Sequence, residues 1–149
     1  MTHVLEARGI VRNYGTVEAL RGADFTVNAG EVTALIGDNG AGKSTTMKMI
    51  TGFLKPDAGT IEVCGTDVAR STLQAKKKIG YLPELNALYY DMYVREYLGF
   101  IAEVHAIKDP KKRIEEVIDM TGLQIESAKK IGQLSKGYKQ RVGLAAALI

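Results

Sequence analysis

Polar and apolar residues alternate from Val4 to Val11 and again from Asp24 to Val27, and a period of two predicts a strand over each stretch. Gly15 and Gly22 punctuate the polar turns between them. The pattern then changes, because Val32-Thr33-Ala34-Leu35-Ile36 is almost wholly apolar and predicts a short strand buried on both faces. A glycine-rich turn follows, and Met47, Ile50, Phe53 and Leu54 then fall on one stripe of a helix over Lys43 to Phe53. Lys55-Pro56-Asp57-Ala58-Gly59 has the composition of a turn, and Thr60 to Cys64 reads as a further strand closed by Gly65.

After about Gly80 the period lengthens to that of helices. Val94, Tyr97, Leu98, Ile101 and His105 define one helix. Asp109 as N-cap, Pro110 in the first turn and Gly122 as C-cap bracket a second, with Ile114, Val117 and Ile118 on its buried face. Ser127 to Ile131 predicts a short helical turn. Ser135 then caps a helix that carries Val142, Ala145, Ala146 and Ile149 on one side. The layout is an α/β one: a strand-rich first half that carries the glycine loop, followed by a helical region.

Composition narrows the picture only modestly. A hydrophobic share of 46% and a charged share of 25% are those of an ordinary globular domain, and 149 residues are enough for a sizeable core. A net charge of +3 gives no case for nucleic acid, and the lysines at 76–78 and the basic cluster Lys111–Arg113 read as solvated helix faces. Cys64, the single cysteine, excludes an intrachain disulfide. The first residues lack the apolar core of a signal peptide, and no apolar run reaches the 18 or so residues needed to span a bilayer. The expectation is a cytoplasmic chain whose membrane role, if it has one, runs through a partner.

The glycine turn carries the chemistry. Gly37-Asp38-Asn39-Gly40-Ala41-Gly42-Lys43-Ser44, followed by Thr45, satisfies the phosphate-loop pattern G-x-x-x-x-G-K-[ST] between a strand and a helix start. Glycines let the backbone turn left-handed and approach a phosphate closely. Successive N–H groups and the helix N-terminus supply partial positive charge, Lys43 adds a full one, and the Ser44 hydroxyl suits a Mg²⁺ ion held by the phosphates. The loop alone leaves GTPases, kinases, helicases and transport ATPases open.

Leu134-Ser135-Lys136-Gly137-Tyr138-Lys139-Gln140-Arg141 makes the choice. A serine-capped helix N-terminus with a glycine beside it is a second anion site. The segment resembles the L-S-G-G-Q signature of the ATP-binding-cassette (ABC) ATPases, in the L-S-K-G-Y-x-Q-R form of bacterial ABC-2 export-type members. That resemblance, which runs from Ala7 to Ile149, implies a P-loop NTPase fold with a mixed sheet core and an α-helical signature subdomain. It divides the chain into an ATP-binding core at 1–80, a helical subdomain at 81–135 and a signature helix at 135–149.

The resemblance also assigns roles. Tyr14 matches the aromatic that stacks on adenine, and Gly37 to Thr45 bind the phosphates of Mg-ATP. Glu84, in Ile79-Gly80-Tyr81-Leu82-Pro83-Glu84, stands where a metal-facing glutamine is commonest, so Ser44 and Glu84 are the expected Mg²⁺ contacts. Ser135, Lys136, Gly137 and Tyr138 serve the ATP held by a second nucleotide-binding subunit in a head-to-tail dimer. A transmembrane permease is the other implied partner, with the chain peripheral on the cytoplasmic side, and no nucleic acid is expected. Lys43 and Ser135 are 92 positions apart, without the long coiled-coil insertions of chromosome-organising relatives. The family's Walker B aspartate, general-base glutamate and switch histidine have no match, and neither His3 nor His105 fits the last of them. The sequence therefore reads as an ABC ATPase truncated after the signature helix, with no catalytic residue of its own and no turnover expected from it alone.

Overall fold

The computed structural model describes residues 2–149, which form two compact units, one up to Ile79 and one from Gly80 to Ile149. The first contains β1 (His3–Tyr14), β2 (Val17–Asn28), α1 (Lys43–Ile50), β3 (Ala58–Val63), β4 (Thr66–Asp67) and α2 (Thr72–Lys76). The strands form one sheet in the order β2-β1-β3-β4, and every neighbouring pair is antiparallel. Gly15 and Thr16 make the tight turn between β1 and β2, with Gly15 at φ 61°, a conformation glycine adopts without a Cβ penalty. Ala7, Ile10, Leu20, Ile61 and Val63 of the sheet share a core with Met49 of α1, Ala75 of α2 and Val68, which follows β4. Each large side chain buried there contributes about 1.5–3 kcal/mol.

Gly59 locks this sheet. It sits at φ 85°, and a Cβ there would run into the carbonyl oxygens of Arg8 and Gly9 on β1. That close approach explains why β3 begins at Ala58, inside the segment whose composition predicts only a turn.

Three expectations are corrected. Val32 to Ile36 is not a strand: Val32 is 100% exposed and Ile36 88%. An apolar run becomes a strand only when a neighbour supplies ladder hydrogen bonds, and none of the described strands pairs with it. Of the expected stripe, Ile50 and Leu54 pack against the core but Met47 and Phe53 are exposed, and Met49 and Thr46 of α1 are buried instead, so the buried face is shifted from the expected one. The helix also stops at Ile50, where Thr51 Oγ1 donates to the Met47 carbonyl at 2.8 Å and Gly52 turns to φ 72°.

The second unit holds α3 (Val94–Val104), α4 (Pro110–Thr121), a 3₁₀ turn at Ile131–Gln133 and α5 (Lys136–Leu148). Val94, Leu98, Val117, Ile118, Leu123, Ile131, Val142 and Ala145 are almost fully buried and form its core. The capping follows the sequence: the Asp109 side chain accepts from the Lys112 N–H, and Gly122 closes α4 at φ 66°. Arg141 of α5 donates to the Gly122 carbonyl at 3.3 Å, tying the C-terminus of α4 to the last helix. His105 lies at the exposed end of α3 rather than on its buried face. The regular turn expected at Ser127–Ile131 falls at Ile131–Gln133 instead.

Candidate functional site

The glycine loop is shaped from inside. Gly40 and Gly42 stand at φ 88° and φ 85°, and the Ala41 N–H donates to the Asp38 carbonyl at 3.1 Å. A Cβ on Gly42 would lie 2.6 Å from the Ala19 carbonyl oxygen and 3.0 Å from Leu20, so only glycine fits. Lys43 turns back over the loop, and its ammonium donates to the carbonyls of Gly37 at 2.5 Å and Asp38 at 2.7 Å. The loop thus encircles a cation with its own carbonyls, and residues 37–41 are exposed around it.

Helix α1 opens directly from this loop. Its N-cap is the left-handed Gly42, no side chain caps it, and its first turn carries no acidic residue. Its first N–H groups are thus free of an internal acceptor and of a repelling carboxylate, the combination that attracts an anion. Thr46 anchors the turn from below, its Oγ1 donating to the Gly42 carbonyl at 2.9 Å. Ser44 is exposed beside Lys43, and Thr45 is half-buried.

Tyr14 belongs to the same unit. β2 carries an extra residue, because Arg12 pairs with Leu20 while Asn13 pairs with Glu18. The residue so bulged out is Ala19, the one whose carbonyl abuts Gly42. The bulge therefore links the Tyr14 hairpin to the glycine loop. Tyr14 is 49% exposed, and the Arg12 guanidinium lies over its ring at 5.1 Å. Sequence reasoning missed both Arg12 and Asp57: Arg12 donates to Asp57 Oδ1 at 2.8 Å and to the Lys55 carbonyl at 3.2 Å. The P-D-A-G turn signal was legible, but nothing in it identifies a partner 45 residues upstream.

In the second unit, Ser135 caps α5 by accepting the Tyr138 N–H at 3.3 Å, and Arg141 lies over the Tyr138 ring at 5.1 Å. Ser135, Lys136 and Gly137 are exposed. A Cβ on Gly137 would meet nothing within 4 Å. Glu84 is exposed in a segment braced on α5, where Gly80 fits beneath the Ala147 carbonyl and Gly143 admits Leu82 and Asn86. The described residues contain no cluster of three or more His, Cys, Asp or Glu able to hold a metal unaided. No helix among the described residues is long and apolar enough to cross a membrane.

Comparison with known proteins agrees with this arrangement. The chain is 38% identical over 148 residues to the linearmycin resistance ATP-binding protein LnrL of Bacillus subtilis (strain 168), covering 98% of this chain and 48% of the relative. It is 33% identical over 149 residues to the bacitracin transport ATP-binding protein BcrA of Bacillus licheniformis, covering all of this chain and 48% of that one. The chain thus spans about half the length of these curated relatives. Among solved structures, cbiO1 from Clostridium perfringens, described as part of the ABC transporter complex cbiONQ, superposes with a TM-score of 0.87 at 28% identity. That match covers 99% of this chain and 62% of cbiO1. The sequence model of the family described as ABC transporter matches residues 20–149, which take in the glycine loop, the Glu84 segment and the Ser135 helix, and the chain belongs to that family.

Proposed function

We propose that the chain is the nucleotide-binding part of an ABC transporter subunit that couples ATP binding and hydrolysis to transport by a partner membrane subunit. One observation carries this reading. The loop Gly37–Thr45 combines two left-handed glycines, an uncapped helix N-terminus and an inward lysine in a single exposed cradle. The partners of Lys43 among the described residues are the neutral carbonyls of Gly37 and Asp38, and a triphosphate would replace them with charged oxygens and stronger, charge-assisted bonds. Asp38, Asn39, Gly40, Ala41, Gly42, Ser44 and Thr45 complete the phosphate contacts, and Tyr14 stacks on the base. A Mg²⁺ ion, which would neutralise charge between the phosphates, would be held by Ser44 with Glu84 as its further contact.

The same proposal gives the parts their tasks. Residues 1–80 are the ATP-binding core, 81–135 the helical subdomain and 135–149 the signature helix. Gly137 supports the last assignment: it lies in the first turn of α5, and a Cβ there would meet nothing within 4 Å, so no contact among the described residues demands a glycine. Close approach by a ligand would require it. Ser135, Lys136, Gly137 and Tyr138 therefore face the ATP of a second nucleotide-binding subunit in a head-to-tail dimer. A transmembrane permease then places the chain on the cytoplasmic side of the membrane.

Calorimetric titration of AMP, ADP and ATP in the presence of Mg²⁺ tests the reading. Affinity rising with each added phosphate is the expected result. Equal affinity across the series would overturn it, since recognition would then lie with the base alone.

A further inference from the structure

The end of β1 that carries Tyr14 is held by a group outside both strands of its hairpin. Asp57 lies in the turn before β3, and its two carboxylate oxygens go to different places. Oδ1 accepts from the Arg12 guanidinium at 2.8 Å, and Oδ2 accepts from the Asn13 backbone N–H at 2.7 Å. The Asp57 N–H donates in turn to the Val11 carbonyl at 2.8 Å. Three consecutive residues of β1 are thus fastened to one aspartate, directly opposite the bulge at Ala19. Tyr14 is the next residue along.

The same aspartate sets the position of a charge. Arg12 and Tyr14 are two apart on a strand, so both side chains stand on one face of the sheet. Asp57 and the Lys55 carbonyl fix the guanidinium, which covers one side of the tyrosine ring at 5.1 Å. The ring stays about half exposed, which leaves its other side open. A ring covered on one side by a fixed cation has little freedom to rotate, and it offers a planar base a platform already in place.

We propose that Asp57, acting through Arg12, is a positioning residue for base recognition, and that it presents the free face of Tyr14 to the purine of the nucleotide. The inference rests on the assignment of Tyr14 as the base-stacking residue. Asp57 and Arg12 touch neither base nor phosphate. Their effect is confined to the base-dependent part of the affinity.

A double-mutant cycle with two ligands separates the possibilities. ATP and inorganic tripolyphosphate are titrated into the parent, Tyr14→Ala, Asp57→Ala, Arg12→Met and the double variant Tyr14→Ala/Asp57→Ala. Arg12→Met retains an apolar stem on the ring without the charge, and it serves should Asp57→Ala melt below the working temperature. Asp57→Asn, which keeps an acceptor for the Asn13 N–H, tests recovery. The expected result is a loss of ATP affinity of roughly two- to fivefold for Asp57→Ala and Arg12→Met, with tripolyphosphate binding unchanged. Asp57→Asn should recover part of that loss, and the double variant should bind ATP no more weakly than Tyr14→Ala. Equal losses for ATP and tripolyphosphate, or fully additive losses in the double variant, would overturn the inference. So would a Tyr14→Ala loss that neither Asp57→Ala nor Arg12→Met shares, and in that case the base-stacking role of Tyr14 would stand. Unaltered ATP affinity in Tyr14→Ala would overturn both.

Discussion

The two glycine-bearing helix starts of this protein, at Gly42 on α1 and at Gly137 on α5, look alike in sequence and differ in what demands the glycine. Gly42 is left-handed, and the Ala19 carbonyl stands where a Cβ would go. The fold itself requires it. Gly137 has ordinary helical geometry, and a Cβ there would meet nothing within 4 Å among the described residues. The caps differ in the same sense. α1 has no side-chain cap and a lysine folded into the loop, whereas Ser135 satisfies one of the N–H groups of α5. The first start is a self-contained cradle for an anion. The second is an exposed helix end with one N–H satisfied by a side chain and open space around its glycine.

The largest effect should come from forcing a side chain into the first start. Gly42→Ala adds a clash at the Ala19 carbonyl to the cost of a left-handed alanine, itself about 1–2 kcal/mol. Triphosphate affinity should fall by more than tenfold and the melting temperature should drop, both measurable on one preparation. An alanine variant with parental affinity and stability would mean that the loop does not need its left-handed turn.

Tyr14→Ala comes next. Loss of a base–aromatic stack is worth roughly 1–3 kcal/mol. ATP, ADP and AMP should all bind more weakly by the same factor, since the change leaves the phosphate cradle alone. Titration of the three nucleotides checks this, and a loss graded by phosphate number would remove Tyr14 from the base site.

Gly137→Ala sharpens the contrast. With no clash to meet and a better helix former in place, thermal stability should hold or rise, by at most about 1 kcal/mol. ATP-driven turnover of the assembled transporter should nevertheless fall. Thermal melts and phosphate release decide it, and normal turnover would return Gly137 to an incidental surface residue.

The smallest effect concerns Glu31, upstream of the loop. Its carboxylate accepts the Asn28 N–H at 3.1 Å and the Thr33 hydroxyl at 2.9 Å, and these bonds hold its pKa below the ordinary carboxylate value. A depressed pKa contributes stability above the unfolded value and loses it as pH falls through the folded one. The parent and Glu31→Gln should therefore differ slightly in melting temperature near neutrality and converge in acid. A difference that grows on acidification would contradict the assignment.

How far the sequence could be read differs along the chain, and the reason is physical. Asp109, Pro110, Gly122 and Ser135 state their roles locally, because a cap is a relation between residues three or four apart, and each sits where its type requires. The phosphate loop is equally local. Val32 to Ile36 failed as a strand because its apolar pattern says nothing about whether a neighbouring strand exists to pair with it. The turn of α1 that buries Met49 rather than Met47 was set by the sheet beneath the helix, which the helical period does not contain. Asp57 was invisible as a brace because its partners, Arg12 and Asn13, lie 45 and 44 residues away.

The central claim is that the loop Gly37–Thr45 binds the terminal phosphates of ATP through a lysine prepared for them. Isothermal titration of ATP and AMP into the parent and Lys43→Ala, at fixed ionic strength, tests it most directly. A charge-assisted contact is worth about 1.5–3 kcal/mol, so ATP affinity should fall by about ten- to a hundredfold while AMP binding stays as it was. Unchanged ATP affinity in Lys43→Ala would contradict the account at its root.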